Sequence, residues 1–284
     1  MRESIENLPA DHETRTRVAS VILAAGRGSR MRGFHGNKTL LPLVPGRSSY
    51  EGSRPILLQI LSSLPLGPRA LVVNYMKEDV AEATRDLELT YCEQPGLNGT
   101  GGALLAARPF IEEQDCDRII LTMGDIPFIR RATYEVLVEN LKDKSLMVLG
   151  FRPESKRQYG LMEIEGDRVR KIIEWKYWRT YSQARQQSLE ICNAGIYAAR
   201  KEDLLRYLLV LASKPHMVHK EIGGKLRQLE EFFVTDLVEY MSGDGLQIGY
   251  IVAEDEEEVM GVDDLTALLR AQEIFRADKT LARR

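Results

Sequence analysis

Apolar runs of strand length alternate with helical patterns along the first half of the chain. The runs rich in Val, Ile and Leu predict strands at Val18–Ala25, Ala70–Tyr75, Leu89–Glu93, Arg118–Met123 and Leu146–Phe151. The segments between them predict helices at Pro55–Leu61, Asp79–Leu87, Gly101–Phe110 and Arg131–Leu141. Such alternation is typical of right-handed crossovers. We therefore expect an α/β fold with a Rossmann-like mixed, mostly parallel sheet and helices on both faces.

The pattern is less regular in the second half. It predicts a hairpin over Gly160–Glu174 that turns at residues 165–167, strands at Glu190–Ala198 and Gln247–Val252, and helices at Glu202–Leu211, Thr235–Met241 and Asp263–Ala277. Residues 1–17 form a polar N-terminal extension, and no Pro- or Ser-rich linker or internal repeat follows it. We expect one domain over residues 18–284, with halves at about 18–150 and 151–262 and a C-terminal helix at about 263–277.

Composition narrows the class of protein. The chain has 284 residues, 44% of them hydrophobic, which is ample for a buried core. A formal net charge of −3 argues against a nucleic-acid partner. The three cysteines form no CxxC pair, the N-terminus lacks an apolar core, and no apolar run approaches the ~18–20 residues of a membrane span. We expect a soluble, cytoplasmic protein without a membrane partner.

The most informative segment is VASVILAAGRGSRMR at residues 18–32, where an apolar strand enters a glycine turn followed by cations. Gly26 and Gly28 allow the chain to bend sharply and to present N–H groups to phosphate oxygens. Arg30 and, one loop later, Lys38 supply cations for the same oxygens. The segment lacks the Gly-Lys-Ser/Thr of a Walker A loop, and Met31 stands where a dinucleotide fingerprint needs its third glycine. An ordinary turn with surface cations is the alternative.

A second polar segment, EQPGLNGTGGA, spans residues 93–103. The Gln94 amide both donates and accepts, so it can pair in two directions with a base edge. Gly99, Thr100 and Gly101 open a predicted helix whose free N–H groups suit a polar or anionic ligand. The alternative is a plain loop with Thr100 as a helix cap.

Two carboxylates are candidate metal ligands. The strand in IILTMGDIPFI, residues 119–129, carries Asp125 to its end, and Asp263 lies in MGVDDL, residues 260–265. Mg²⁺ prefers oxygen ligands and retains several waters, so Asp125 beside a phosphate site is a natural ligand and Asp263 can be the second. Capping of a helix or turn is the alternative for both aspartates.

Gly160, Glu174 and Asn193 are candidate contacts for a sugar, because a carboxylate with an amide can bind hydroxyl groups, and Lys176 can add a phosphate contact. The alternative for Gly160, Glu174 and Asn193 is that each is an ordinary surface residue. His216 and His219 have helical spacing but no third ligand nearby, so we do not expect zinc there.

In order and spacing, these segments resemble the sugar-1-phosphate nucleotidyltransferases, and among them the uridylyltransferase domain of the bacterial N-acetylglucosamine-1-phosphate uridylyltransferases. The resemblance covers about Val18–Phe275. It implies the nucleotide-diphospho-sugar transferase type of fold, with a nucleotide half at about 18–150 and a sugar-phosphate half at about 151–262. It further implies Mg²⁺ as cofactor and two substrates, an NTP, UTP first, and N-acetylglucosamine 1-phosphate or a related hexose 1-phosphate. The oligomeric state stays open.

The resemblance also implies a role for each matching residue. Arg30, Lys38 and Asp125 would be catalytic, with the two cations on the phosphates, and Asp125 and Asp263 would bind Mg²⁺. Gly160, Glu174 and Asn193 would hold the sugar. The nucleotide would be lined by Leu23, Ala24, Ala25, Gly26, Gly28, Gln94, Gly99 and Thr100.

Four features depart from the family pattern. Asp263 stands where the family usually has Asn, a change that related thymidylyltransferases share. Phe233 in EFFVTD replaces a tyrosine whose hydroxyl would reach the acetamido group, so the identity of the sugar is open. Residues Arg47–Ser53 are an insertion, and the sequence carries no hexapeptide array of the acetyltransferase β-helix.

The reaction implied is attack of a sugar 1-phosphate oxygen on the α-phosphorus of the NTP, with release of pyrophosphate. The same chemistry with dTTP, CTP or GTP and another sugar phosphate is one alternative. A non-catalytic regulatory protein that binds a sugar nucleotide is another. A dehydrogenase is disfavoured by the missing third glycine.

Overall fold

The structure, a computed structural model, describes residues 18–28, 30–31, 33–222 and 225–278. The predicted N-terminal extension, residues 1–17, lies outside the described residues, as do Ser29 and Arg32 of the glycine turn. No helix in the described ranges is long and apolar enough to cross a membrane.

The strands of the described residues follow the apolar runs and add two hairpins that the pattern did not predict. They are β1 (Val18–Leu23), β2 (Pro42–Ser48), β3 (Glu51–Pro55), β4 (Arg69–Val73), β5 (Thr90–Glu93), β6 (Arg118–Met123), β7 (Leu146–Phe151), β8 (Leu161–Glu165), β9 (Arg168–Ile173), β10 (Cys192–Arg200), β11 (His216–Ile222), β12 (Lys225–Glu231) and β13 (Ile248–Ala253).

Most α-helices follow the strands as crossovers. They are α1 (Ile56–Ser63), α2 (Lys77–Ala83), α3 (Gly99–Ala106), α4 (Arg108–Glu113), α5 (Arg131–Glu139), α6 (Trp175–Trp178), α7 (Gln183–Ser188), α8 (Lys201–Ala212), α9 (Asp236–Gly243) and α10 (Leu265–Ala277).

The central sheet is mixed and mostly parallel. Its strand order is β13-β7-β10-β6-β1-β4-β5, and the β8–β9 hairpin joins it at β10. The β1–β4, β1–β6, β4–β5 and β7–β13 pairs are parallel, whereas β10 is antiparallel to β6 and β7. Since β1, β4, β5 and β6 run in the same direction, the loops after them emerge at one edge, where such sheets bind ligands.

Helices cover both faces of this sheet, as the alternation predicts. Successive side chains of a strand point to opposite faces. Val21 of β1 therefore packs into a cluster with Leu104 of α3 and Leu208 of α8, whereas the next residue, Ile22, packs with Leu57 of α1 and Leu137 of α5. The fold class expected from the sequence is confirmed.

A third cluster lies beside the sheet, where α10 packs on the β2–β3 hairpin. Leu43 of β2 and Phe275 of α10 are both buried in it. The buried Gln272 amide of α10 donates to the carbonyl oxygens of Pro42 and Ser49, each at 2.8 Å. The insertion at Arg47–Ser53 therefore forms the hairpin's turn and part of both strands, and the C-terminal helix holds it.

Two predicted helices have wrong boundaries. The single helix expected over Gly101–Phe110 is divided into α3 and α4 at Ala107, because Pro109 lacks an N–H and its ring excludes a continuous helix. The helix expected to reach Leu87 ends at Ala83. There the Thr84 hydroxyl bonds the Val80 carbonyl at 2.7 Å and the Tyr91 hydroxyl at 2.7 Å.

His216 and His219 belong to strand β11, not to a helix. Residues three apart on a strand point to opposite faces, so these imidazoles do not form a pair. Among the residues that the structure describes, no group of three or more His, Cys, Asp or Glu side chains could hold a metal.

Candidate functional site

A cavity of about 450 Å³ opens at the edge of the sheet where β1 and β6 end. Its lining includes all eight residues predicted to contact a nucleotide, and also Lys38 and Asp125. Arg27, another cation of the glycine-turn segment, lines it too, as do Met123 and Glu231, which the motifs did not indicate.

The glycine turn forms the floor of this cavity. Strand β1 ends at Leu23, two residues earlier than predicted, yet the Ala24 N–H still donates to the Val72 carbonyl at 3.0 Å. The turn then bends at Gly28, whose φ of +62° lies in the left-handed region and whose carbonyl accepts from the Met31 N–H at 2.8 Å. These two bonds hold Ala24 to the sheet and Gly28 to Met31.

Four charged groups meet beside the cavity. Lys38 and Asp125 line it, whereas Arg30 and Asp263 are not among its lining residues. The Lys38 Nζ lies 2.5 Å from Oδ2 of Asp125 and 3.0 Å from Oδ1 of Asp263. The Arg30 guanidinium lies 2.9 Å from the same Asp263 oxygen. These residues come from three distant parts of the sequence, and the structure brings them into direct contact.

Local structure fixes the positions of three members of this group, Asp125, Asp263 and Lys38. Asp125 follows β6, and the Val262 N–H donates to the Asp125 carbonyl at 2.8 Å, which holds the segment of Asp263 beside it. Lys38 begins a short 3-10 turn whose cap is Asn37, a fully buried residue. The Asn37 amide donates to the Tyr75 carbonyl at 2.8 Å, so it ties the Lys38 turn to the loop after β4. Asn37 is a positioning residue that the motifs did not reveal.

Burial and charge act in opposite directions on Lys38, whose side chain is 13% exposed. Burial alone would lower its pKa, but the carboxylates of Asp125 and Asp263 outweigh that effect and hold the pKa above its ordinary value. The ammonium is therefore charged at neutral pH. Two carboxylates with room for phosphate and water ligands are a suitable donor set for a hard divalent cation, so Asp125 and Asp263 fit such an ion.

The loop after β5 differs from its prediction in detail. Gln94 is buried, and its Nε2 donates to Asn98 Oδ1 at 2.8 Å and to the Gly99 carbonyl at 3.1 Å. The amide nitrogen is thus engaged within the loop, and pairing of Gln94 with a base in two directions, which stays a prediction, would require these bonds to be exchanged. Its Oε1 is the atom that can accept from a base.

The start of α3 is likewise engaged by the chain. The Gly101 N–H donates to the Phe232 carbonyl at 2.8 Å, and Thr100 Oγ1 accepts from the Val234 N–H at 3.2 Å. A Cβ at Gly99 would lie 2.3 Å from the Phe232 oxygen, and one at Gly101 would lie 2.7 Å from the Phe232 carbonyl carbon. The expected free N–H groups are therefore partly used, and these glycines allow residues 232–234 to pack against the helix.

The segment 231–236 connects this cavity to a second one of about 460 Å³. Glu231 lines the first cavity, whereas Phe233 and Asp236 line the second. At the second cavity the Thr235 hydroxyl donates to Glu174 Oε1 at 2.8 Å, and His216 Nε2 lies 2.8 Å from Asp236 Oδ2. The segment therefore touches both cavities.

Glu174 lies among charged and aromatic side chains at the second cavity. Burial raises the pKa of Glu174, and nearby Asp236 adds to the rise, whereas the Thr235 hydrogen bond and the charges of Lys176 and His216 oppose it. The Lys176 Nζ lies 4.5 Å from the centre of the Phe233 ring, and the His216 ring meets that ring edge-on at 5.1 Å. His216, at which the sequence indicated no zinc site, thus lines this cavity.

Gly160 and Asn193 are neighbours of each other but line neither cavity. The Asn193 N–H donates to the Gly160 carbonyl at 2.8 Å. The Asn193 side chain donates to the Tyr197 hydroxyl at 2.8 Å and accepts from the Gly195 N–H at 3.0 Å, which stabilises the bulge in β10. Of the three predicted sugar contacts, only Glu174 lines a cavity described here.

Comparison with known proteins agrees with this arrangement. A family model described as "MobA-like NTP transferase domain" matches residues 20–231. The chain is 29% identical over 274 residues to the bifunctional protein GlmU of Sphingopyxis alaskensis and 30% identical over 271 residues to that of Rhodopseudomonas palustris. These alignments cover 93% of this chain but 54% and 53% of the relatives. The chain thus spans about half the length of the curated relatives it matches.

A solved structure shares the fold. It is described as a putative glucose-1-phosphate thymidylyltransferase from Bacillus anthracis in complex with sucrose, and it superposes with a TM-score of 0.64 at 19% identity. The match covers 92% of this chain and 96% of that one. The resemblance stated from the motifs is confirmed by the match to one half of the bifunctional relatives.

Proposed function

This chain belongs to the family of MobA-like NTP transferase domains, and we propose that it joins an NTP to a sugar 1-phosphate, with release of pyrophosphate. UTP is the first candidate nucleotide. N-acetylglucosamine 1-phosphate or a related hexose 1-phosphate is the first candidate acceptor. The alignment along 93% of the chain with the GlmU proteins supports this choice.

One observation carries the proposal. Lys38 and Asp125 line a cavity together with the glycines Gly26 and Gly28, and Asp263 and Arg30 extend this group of charges through direct contacts. A triphosphate needs cations and backbone N–H groups, and a divalent ion needs carboxylate oxygens beside those phosphates. A surface turn with unrelated cations would not require such an assembly.

In the proposed reaction an oxygen of the sugar 1-phosphate attacks the α-phosphorus of the NTP. The new P–O bond forms as the bond from the α-phosphorus to the bridging oxygen breaks, and pyrophosphate leaves with that electron pair. The second pKa of a phosphate monoester is ~6, so the attacking group is already largely dianionic and needs no general base. The difficulty is the repulsion between two anions.

The charged residues reduce that repulsion. Arg30 and Lys38 would bind phosphate oxygens and hold the two reactants in line, and the backbone N–H groups of the glycine turn would face the triphosphate. One unit charge at 4 Å is worth roughly 4 kcal/mol at an effective dielectric constant near 20, so two cations are of the size needed. A divalent ion held by Asp125 and Asp263 would add charge neutralisation at the same phosphates.

The second cavity suits the acceptor. Glu174 would accept from sugar hydroxyls there, and the Lys176 ammonium would face the sugar's phosphate. Gly160 and Asn193 line neither cavity, so their proposed contact with the sugar would require the substrate to extend beyond the lining of the second cavity. Phe233 has no hydroxyl with which to bind an acetamido group, which favours a test of hexose 1-phosphates that lack that group alongside N-acetylglucosamine 1-phosphate.

A substrate panel tests the proposal. UTP, dTTP, CTP and GTP are each combined with several sugar 1-phosphates and Mg²⁺, and pyrophosphate release is measured. Asp167→Asn, a change at an exposed hairpin turn, is the control variant. Release of pyrophosphate from one substrate pair, to the same extent by the wild type and by Asp167→Asn, supports the proposal. Binding of a sugar nucleotide without release of pyrophosphate from any pair favours the regulatory alternative.

A further inference from the structure

The Lys38 ammonium lies between the two carboxylates that would hold a divalent cation. It lies 2.5 Å from one Asp125 oxygen and 3.0 Å from one Asp263 oxygen, and Arg30 contacts the same Asp263 oxygen at 2.9 Å. Two acidic groups are thus matched by two basic ones before any ligand arrives. The formal charges of these four groups cancel, so an approaching divalent ion finds both carboxylates already paired.

We propose that Lys38 keeps the Asp125–Asp263 pair closed to divalent metal until the triphosphate of the nucleotide draws the ammonium away. Metal and nucleotide then bind with positive coupling that depends on Lys38. This inference rests on the proposed function, since it takes the aspartates as metal ligands and Lys38 as a phosphate ligand.

The way in which Lys38 is held supports such a movement. Its main chain is fixed by the 3-10 turn and by buried Asn37, and its stem lies beside Gly28 as far as Cδ. Only Cε and the Nζ ammonium extend beyond that point, and rotation about the Cγ–Cδ and Cδ–Cε bonds moves this compact charge. The end of the side chain can therefore turn towards the cavity while the backbone stays in place, and Lys38 lines that cavity together with Gly26 and Gly28.

The coupling follows from electrostatics and linkage. Without nucleotide, a metal ion must displace an ammonium from two carboxylates and then lie close to it, which costs repulsion. With a triphosphate bound, the ammonium gains new acceptors and the carboxylates become free for the metal. Whatever nucleotide adds to metal affinity, metal adds to nucleotide affinity.

Mn²⁺ binding to the nucleotide-free protein tests this directly, with the electron paramagnetic resonance signal of free Mn²⁺ as the readout. Lys38→Met removes the competing charge, and we expect Mn²⁺ to bind about tenfold more tightly than to the wild type. Lys38→Gln, which keeps a neutral donor between the carboxylates, is a second variant should the first fail to fold. Lys77→Met removes an ammonium paired with Glu93 elsewhere and should change nothing.

A non-hydrolysable NTP analogue completes the experiment. It should tighten Mn²⁺ binding to the wild type by a larger factor than to Lys38→Gln. Mn²⁺ affinity of both Lys38 variants equal to or below that of the wild type overturns the inference, as does Mn²⁺ binding that survives Asp125→Ala, which removes the oxygen ligand. Failure of the proposed function is a separate result, because the substrate panel measures pyrophosphate and this assay measures metal binding alone.

Discussion

A Cβ atom at position 28 would lie 3.0 Å from both the Cβ and the Cδ of Lys38, so glycine at this turn makes room for the stem of the lysine. The φ of +62° at Gly28 adds a second reason, since other residues rarely adopt it. The glycine of the motif thus serves the position of a side chain as well as the approach of a ligand.

Gly28→Ala should displace the Lys38 side chain and reduce kcat/KM by about tenfold or more, because an error of about 1 Å in a positioning residue costs up to ~100-fold. Steady-state kinetics with the productive substrate pair measure the effect. Gly96→Ala is the control, since a Cβ there meets nothing within 4 Å. Equal losses in both variants would contradict a specific role for Gly28.

Asn37→Ala should lower the free energy of unfolding by about 1–3 kcal/mol and also lower kcat. The change removes the cap of the Lys38 turn and leaves the Tyr75 carbonyl without this donor. Urea unfolding followed by circular dichroism measures the first effect. Asn140→Ala, which loses an exposed bond to the Val136 carbonyl, should change stability much less and leave kcat as it is.

Thr235→Val should raise the KM for the sugar phosphate by about tenfold while the KM for the NTP stays unchanged, because the hydroxyl orients Glu174 and does not line the nucleotide cavity. Initial rates at varied concentrations of each substrate separate the two constants. Thr90→Val on the exposed edge strand β5 is the control. A change confined to the KM for the NTP would refute this assignment of the second cavity.

Glu174→Gln should change the pH dependence of stability. Burial raises the pKa of Glu174 in the folded protein above its ordinary value, so the wild type binds this proton more tightly when folded. The stability it contributes is present below the ordinary glutamate pKa and is lost as the pH rises through the raised one. The glutamine variant should therefore gain stability relative to the wild type as the pH rises above about 4.3, the ordinary glutamate pKa. A constant difference above that pH, in urea titrations, would show that the pKa is not raised.

The strands and the fold class were predictable because burial on both faces leaves a strong signal. Strands β6 and β7 have the predicted boundaries, and the β8–β9 hairpin turns at Gly166, where φ is +61°. The β2–β3 and β11–β12 hairpins carry many prolines, glycines or charges and lie outside the main sheet, so the apolar pattern did not predict them.

The sequence predicted the site residues that lie within contiguous motifs. It predicted less well the contacts between segments that are distant in the chain. The grouping of Lys38, Asp125 and Asp263 followed from the motifs. Their exact partners did not, because the role of Gly101 depends on Phe232, 131 residues away, and nothing in the local sequence reveals that approach. Asn37 also has no local signal, since its partner Tyr75 lies beyond the next strand pair.

The most direct measurement compares the turnover of Asp125→Asn with that of the wild type at saturating Mg²⁺, with the productive NTP and sugar 1-phosphate. The change keeps the size of the side chain and removes the charge that faces Lys38 at 2.5 Å. We expect pyrophosphate release to fall by about 100-fold or more while the thermal unfolding remains cooperative. Wild-type turnover in a folded Asp125→Asn protein would contradict the proposal that these charged groups carry out the transfer.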